Sequence, residues 1–283
     1  MKQPKILVIG AGIVGLSVAA ELASDAQVTV VEMESQPAYH SSGRSAAAYI
    51  EPYIGPIIAH LTQLSRDFFT APPPGFADAP LLKARGGLML ANAAQLPLVA
   101  AVDRTWGVMC PAIHEISLDQ ACARLPALRR EQLARVLFDP LVFDIDVHAL
   151  ISGHRRRVFQ SAGTIRTNTR VVALSRGAQW QVQFADGTAM NADIVVNAAG
   201  AWGEVIAHMA AAASVGLIPK RRTACLIDAP PGADVGAWPM VHDLAATFYF
   251  RPDAGRLMVS PSDETPSQPC DAQAEDGIRD IPP

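Results

Sequence analysis

The segment Gly10-Ala-Gly-Ile-Val-Gly15 constrains this chain more than any other. It sits between an apolar run, Lys5 to Ile9, and a stretch of small and apolar residues, Ile13 to Ala23, that reads as a helix. Gln27 to Glu32 then returns to a strand pattern, so the chain opens on a β-α-β unit. In that context each glycine has a separate duty. Gly10 makes a tight turn, Gly12 lets a pyrophosphate approach the backbone, and Gly15 lets the helix pack on the strand. The helix N-terminus supplies N–H groups and partial positive charge for the phosphates. Glu32 ends the second strand about 20 residues on, where an acid bonds a ribose hydroxyl and disfavours a 2′-phosphate. The opening therefore reads as a dinucleotide site, with NADP a poor candidate.

Composition narrows the remainder. The apolar run Ile6 to Ala23 approaches the length of a membrane span, but Gly10, Gly12 and Gly15 interrupt it and no small-residue cleavage site accompanies it. The 283 residues are 50% hydrophobic and 18% charged, enough apolar material for a large core and about two domains. A net charge of -4 offers no basic field for nucleic acid. Cys110, Cys122, Cys225 and Cys270 are widely spaced, which argues against a zinc ribbon, a redox dithiol or a disulfide framework. Reduced thiols in a cytoplasmic protein without a metal site are the expectation.

Further along, residues 34–56 read as loop and Ile57 to Phe69 as a helix. Ala71-Pro-Pro-Pro-Gly75 is a stiff break suited to a domain crossing. Gly87 to Leu90 reads as a strand, and Leu118 to Arg135 as helical turns broken by Pro126. Val147 to Ala162 is a predicted helix, with His148 and His154 on its surface; His208 is placed likewise. Val171 to Ser175 and Trp180 to Phe184 are strands, Asp186-Gly187 marks a hairpin turn, and Asp193 to Val196 is a buried strand. Arg221 to Asp228, Thr247 to Phe250 and Arg256 to Ser260 read as antiparallel strands, the last two joined by Asp253-Ala-Gly255. The order α/β, mixed, α/β, β predicts two interleaved domains.

GxGxxG alone does not choose between NAD and FAD; the downstream segments do. VIGAGIVG at the start, YHSSGRSAA from Tyr39, VVNAAGAW from Val195 and FYFRPDAGRLMVSPSDETP from Phe248 jointly resemble the D-amino-acid-oxidase-like family of FAD-dependent oxidoreductases. Pro219-Lys-Arg-Arg222 and Trp238-Pro-Met240 extend the resemblance, which runs to about residue 272 and is greatest toward bacterial D-amino-acid dehydrogenases of the D-arginine type. It implies an α/β fold: a glutathione-reductase-like FAD-binding Rossmann domain, residues 1–60 and 144–213, interleaved with an antiparallel-sheet α+β substrate domain, residues 61–143 and 214–272. It implies FAD bound by Gly10, Gly12, Ile13, Val14, Gly15 and Glu32, by Ser41, Ser42, Gly43, Arg44, Ser45, Ala46 and Ala47, and by Val171, Val172, Ala199, Gly200 and Trp202. His40 is not read as a covalent flavin attachment point. The implied reaction oxidises the CH–NH2 group of a D-amino acid by hydride transfer to the flavin, which passes electrons to an unidentified acceptor.

An amino-acid substrate brings a carboxylate that needs a cation or hydroxyl donors. The resemblance places Arg222 against it, Tyr249 as a further donor and Tyr53 in a loop that closes over the substrate. Arg222 also reads as one of three surface cations, Tyr249 as a core aromatic and Tyr53 as a surface turn residue. Where arginine-preferring relatives carry an acid, this chain reads Arg85-Gly-Gly87, and polar positions before Tyr53 are Ala48 and Ile50, so a neutral side chain is expected on the substrate. The alternatives are a glycine- or sarcosine-type secondary amine oxidase and an FAD-binding fragment without catalysis. Relatives usually continue about a hundred residues past the DETP segment, with a further arginine, the last strand of the FAD domain and a Gly-rich loop. Gln273-Ala-Glu-Asp-Gly-Ile-Arg-Asp280 back-translates in frame to a common sequencing adapter, so 273–283 read as a non-native tail.

Overall fold

The computed structural model describes residues 3–273. The predicted tail, Gln273 apart, lies outside them. The opening unit is β1 (Lys5–Ile9), α1 (Ile13–Leu22) and β2 (Gln27–Val31). After a loop come β3 (Ala48–Tyr49), α2 (Pro56–Thr70), β4 (Leu82–Ala84), β5 (Gly87–Ala91) and α3 (Leu96–Trp106). They are followed by β6 (His114–Ile116), α4 (Leu118–Arg124), β7 (Arg135–Asp139), β8 (Phe143–Ile145) and α5 (Val147–Gln160). Strands β9 (Thr164–Arg166), β10 (Val171–Arg176), β11 (Trp180–Phe184), β12 (Ala189–Ala192) and β13 (Ile194–Asn197) lead to α6 (Gly203–Met209). The last strands are β14 (Lys220–Arg221), β15 (Cys225–Ile227), β16 (Met240–Asp243), β17 (Tyr249–Asp253), β18 (Arg256–Ser260) and β19 (Thr265–Pro266).

Two sheets organise these elements. The first is parallel, in the order β13-β1-β2-β9. Its central strand is a continuous apolar run because both faces are covered. Ile6 and Val8 face α1 and α5, where Leu16, Ala19 and Val158 join them. Leu7 and Ile9 alternate to the other face and meet Val182 and Phe184 of the β10-β11-β12 meander and Ile206 of α6. The second sheet has seven strands in the order β15-β18-β17-β16-β5-β7-β6, all antiparallel neighbours except β16 and β5. Leu88, Val136, Val241 and Leu257 fill one face with Trp238, and Met89, Ala91 and Leu137 pack on Val99 of α3 across the other. The α/β fold class thus appears as read, with parallel and antiparallel sheets interleaved along the chain. The predicted boundaries after residues 60 and 143 fall inside α2 and inside β8.

Several elements differ from the sequence reading. The α-helix ends at Arg124, one 3-10 turn follows at Arg130–Gln132, and Arg135–Asp139 is instead a largely buried inner strand between β5 and β6. The predicted strand Arg221 to Asp228 is divided: β14 pairs with β19 and β15 with β18. Between them Asp263 accepts hydrogen bonds from Thr223 N (2.6 Å) and Thr223 Oγ1 (2.8 Å), which turns the chain out of one sheet and into another. His154 is buried, not on the helix surface; it stacks on Phe68 at 5.7 Å and meets Phe76 edge-on at 5.0 Å. His148 and His208 are exposed. The four cysteines are free thiols. No helix among the described residues is long and apolar enough to cross a membrane.

Candidate functional site: a cleft at the C-terminal end of the parallel sheet

Strands β1 and β13 both run out into small residues, Gly10 and Ala198-Ala-Gly200, beside a cleft of about 350 Å3. Gly10 adopts φ +105°, where an L side chain is strained, and a Cβ there would stand 2.4 Å from Ala198 O. A Cβ on Gly15 would stand 1.9 Å from Gly10 O, so no side chain fits between helix and turn. Gly12 is different. Its φ of -73° suits any residue, and a Cβ there meets only Ser42 Oγ at 3.1 Å. Gly10 and Gly15 are therefore required by the backbone itself, whereas Gly12 keeps open a wall of the cleft.

Gly12 is also the N-cap of α1, and it has no side chain with which to cap that end. A helix leaves its first N–H groups without intrahelical partners. One of them, Ile13 N, donates to Ser42 Oγ at 3.0 Å, which draws the 38–47 loop across the helix N-terminus. Glu32 is buried at the end of β2. Its carboxylate accepts Ala11 N (2.8 Å) and Glu34 N (3.0 Å) while still lining the cleft. A fixed carboxylate on one side and the N-terminus of a helix on the other suit a ligand with both hydroxyls and phosphate.

Of the predicted cofactor residues, Gly10, Gly12, Glu32, Ser41, Ser42, Val171, Val172, Ala199, Gly200 and Trp202 line this cleft. Ile13, Val14 and Gly15 lie behind it in the first turn of α1. Gly43, Arg44, Ser45, Ala46 and Ala47 continue the loop away from it. Arg44 lies over the Tyr39 ring at 5.0 Å and pairs with Asp271 at 2.8 Å, which holds the Asp271 carboxyl below its usual range. The structure adds lining residues that the sequence reading did not select, among them Met33, Tyr39, His40, Thr169 and Arg170. His40 bonds Glu34 Oε1 at 3.0 Å and packs its ring on Trp202 at 4.7 Å. Thr169 N donates to Glu32 O at 2.7 Å, and this joins the entry to β10 to the end of β2. The available signal was adjacency: Thr169 and Arg170 immediately precede Val171.

The three predicted substrate residues do not line this cleft. Arg222 is exposed and pairs with Glu264 at 3.0 Å; Lys220 reaches the same carboxylate, and first Lys220, then Arg222, hold it below the usual carboxylate range. Tyr249 opens β17 and is half-buried, opposite Ser260 and His242. Tyr53 is 49% exposed in the turn before α2. That turn is anchored from beneath by buried Glu51, which accepts hydrogen bonds from Tyr49 Oη (3.0 Å), Gln63 Nε2 (3.2 Å) and Arg66 Nε (2.9 Å). Burial pushes the Tyr49 hydroxyl up to about 12. Gly87 is packed shut, since a Cβ there would lie 2.7 Å from Val142 Cγ2. No group of three or more His, Cys, Asp or Glu among the described residues could hold a metal ion.

Residues 5–281 match the model of the FAD dependent oxidoreductase family. Solved structures share the fold. L-proline dehydrogenase from P. horikoshii superposes with a TM-score of 0.77 at 20% identity, covering 92% of this chain and 69% of that one. Glycine oxidase from Geobacillus kaustophilus gives 0.79 at 18%, covering 98% and 76%. L-alpha-glycerophosphate oxidase from Mycoplasma pneumoniae, with FAD bound, gives 0.79 at 19%, covering 92% and 71%.

Proposed function

The chain belongs to the family of FAD-dependent oxidoreductases, and from that premise we propose that it oxidises the CH–NH2 group of D-amino acids with neutral side chains. The observation that carries the cofactor half is the cleft itself. Its floor is the Gly10 turn, its acid is Glu32, and Gly12 leaves one wall without a side chain. FAD, when bound, supplies a two-electron acceptor for the hydride on the amine-bearing carbon. The chain's own residues would bind and orient. The Glu32 carboxylate would accept a ribose hydroxyl, and the N-terminus of α1 would face the pyrophosphate. Arg222 would pair the substrate carboxylate and Tyr249 would donate a hydrogen bond to it, with Tyr53 closing over the site. Arg222 already engages a carboxylate, Glu264, so the substrate would exchange one anionic partner for another. The imine product, released to water, hydrolyses to an oxo acid and ammonia.

The neutral side-chain preference rests on Gly87. An acid at that position would pair a guanidinium, and Val142 leaves no room for one here. The test is turnover of a panel of D- and L-amino acids, glycine and sarcosine, read first by reduction of an artificial dye and then by consumption of oxygen. D-leucine or D-methionine should lead the panel. Preference for D-arginine would remove the side-chain argument, and preference for sarcosine or glycine would replace the substrate class with secondary amines or glycine.

A further inference from the structure

A charge cluster outside the cleft lining joins the small sheet β3-β8-β4 to the seven-stranded sheet. Asp144, beside β3 on strand β8, pairs with two arginines: it accepts hydrogen bonds from Arg85, Nε at 2.9 Å and Nη2 on the same oxygen, and its other oxygen lies 3.2 Å from Arg251 Nη1 as an ion pair. The guanidinium side chains are 8% and 11% exposed and the carboxylate 16%. Two buried cations on one carboxylate are costly unless other acceptors complete them. Arg85 finds further acceptors in the segment that leads into β16, at Gly236 O (2.7 Å) and Trp238 O (3.0 Å). Arg251 finds acceptors elsewhere for Nη1, while its buried Nε has no hydrogen-bond partner. Its Nη1 donates to Ala46 O (3.0 Å) and Ala47 O (2.9 Å), the end of the loop whose beginning is tied to α1 through Ser42. Asp253 lies a further 3.5 Å from Nη2.

The placement of Arg251 on β17 gives that bond a direction. Side chains two apart on a strand share a face, so Arg251 leaves the sheet on the side from which Tyr249 also leaves it. The loop that begins at the cleft is thus fastened to the face of the antiparallel sheet that carries Tyr249. We propose that Arg251 is a positioning residue that fixes the 41–47 loop, and through it the cofactor, against this face of the substrate sheet. The proposal rests on reading 41–47 as a cofactor loop.

The test measures FAD affinity of the full chain by quenching of flavin fluorescence, with thermal melting of each variant as the folding control. Arg251→Met removes the charged donor from both carbonyls and should weaken FAD binding about tenfold or more. Arg251→Lys keeps a cation in the cluster but cannot span Asp144 and two carbonyls at once. It should weaken binding less than Arg251→Met, and it reports where the methionine variant does not fold. Arg85→Lys perturbs the same carboxylate without touching the loop and should leave FAD affinity within about twofold. Ser42→Asp puts an anion at the helix N-terminus and checks the underlying reading, since it should weaken FAD whatever Arg251 does. Unchanged affinity in Ser42→Asp removes the loop reading and the proposal together. Weakened Ser42→Asp with unchanged Arg251 variants overturns the proposal alone. Equal losses in Arg85→Lys and Arg251→Lys, or loss of cooperative melting in both Arg251 variants, assign the cluster to folding and overturn it as well.

Discussion

The two sheets hold their candidate residues in different ways. At the end of the parallel sheet the site is made of backbone. Gly10 φ, the α1 N-terminus and the carbonyl of Ala198 are fixed by the path of the chain, and the Glu32 carboxylate that lines the cleft is itself held by two backbone N–H groups. On the antiparallel side the candidates are themselves side chains, held by carboxylate partners and, for Arg251 and Arg85, by main-chain carbonyls as well. Arg222 rests on Glu264, and Arg251 and Arg85 share Asp144. A backbone site tolerates little and shows in the sequence as glycines at fixed offsets. A side-chain site tolerates more and shows only as residue types, whose partners lie far away in the chain.

The sharpest way to break this comparison is to give the backbone site a side chain. In Gly15→Val the new Cβ would lie 1.9 Å from Gly10 O, a main-chain atom that cannot rotate away. We expect loss of cooperative folding, read by thermal melting and by the soluble fraction. A Gly15→Val protein that melts like the parent would remove the claim that backbone contact dictates this residue.

Gly12→Val separates binding from folding. Here the new Cβ meets only the hydroxyl of Ser42, which can turn aside, and φ stays in an ordinary region. The protein should fold with a melting temperature close to that of the parent. Its added bulk, however, stands in the cleft, and FAD affinity should fall by about a hundredfold, the order expected when phosphate contacts at a helix N-terminus are lost. Full flavin occupancy in a folded Gly12→Val protein would mean that the pyrophosphate does not pass this wall.

On the side-chain region the same logic predicts a smaller effect. Arg222→Met should raise KM for a D-amino acid about tenfold or more through loss of one charged hydrogen bond, with kcat changed less. FAD affinity should not change. Steady-state kinetics beside a flavin titration distinguish the two, and a fall in kcat without a rise in KM would take Arg222 out of carboxylate binding.

Legibility followed the same division. Lys5–Ile9, Gln27–Val31 and the helix between them could be read because a buried parallel strand is continuously apolar and its turn is glycine-bound. The strand Arg135–Asp139 was hidden. It follows α4 and the 3-10 turn Arg130–Gln132 and begins with an exposed arginine, so its strand character comes from β5 and β6 on either side. The break between β14 and β15 depends on Asp263, some 40 residues on in sequence, and no local pattern announces it. Helix α3 did carry a local signal, the reciprocal Asn92 and Gln95 capping hydrogen bonds that precede Leu96, which a motif scan could have used. In the cleft, the glycines and Glu32 were readable as a motif. Thr169 and Arg170 became part of it only through the parallel pairing of β2 with β9, which carries the chain past Glu32 on its way to β10.

His154 extends the comparison to the seam between the regions, where the expected effect is smallest. It belongs to α5, which covers the parallel sheet, but its ring is packed by Phe68 of α2 and by Phe76. Its Nδ1 has no hydrogen-bond partner, and burial, followed by the nearby Arg157 charge, holds its pKa down to about 4. The imidazole is therefore neutral in the folded protein while an unfolded chain takes up a proton near pH 6.5. Between these values the unfolded state binds more protons, so stability rises with pH and is lost as pH falls from about 6.5 toward 4. Near pH 5.5 the cost is about 1 kcal/mol. His154→Leu keeps the apolar contacts, removes the proton and should flatten this part of the stability profile, measured by denaturant unfolding at pH 7.5 and 5.5. If the parent and His154→Leu lose the same stability between those two values, the titrating group lies elsewhere. The seam would then be held by packing alone.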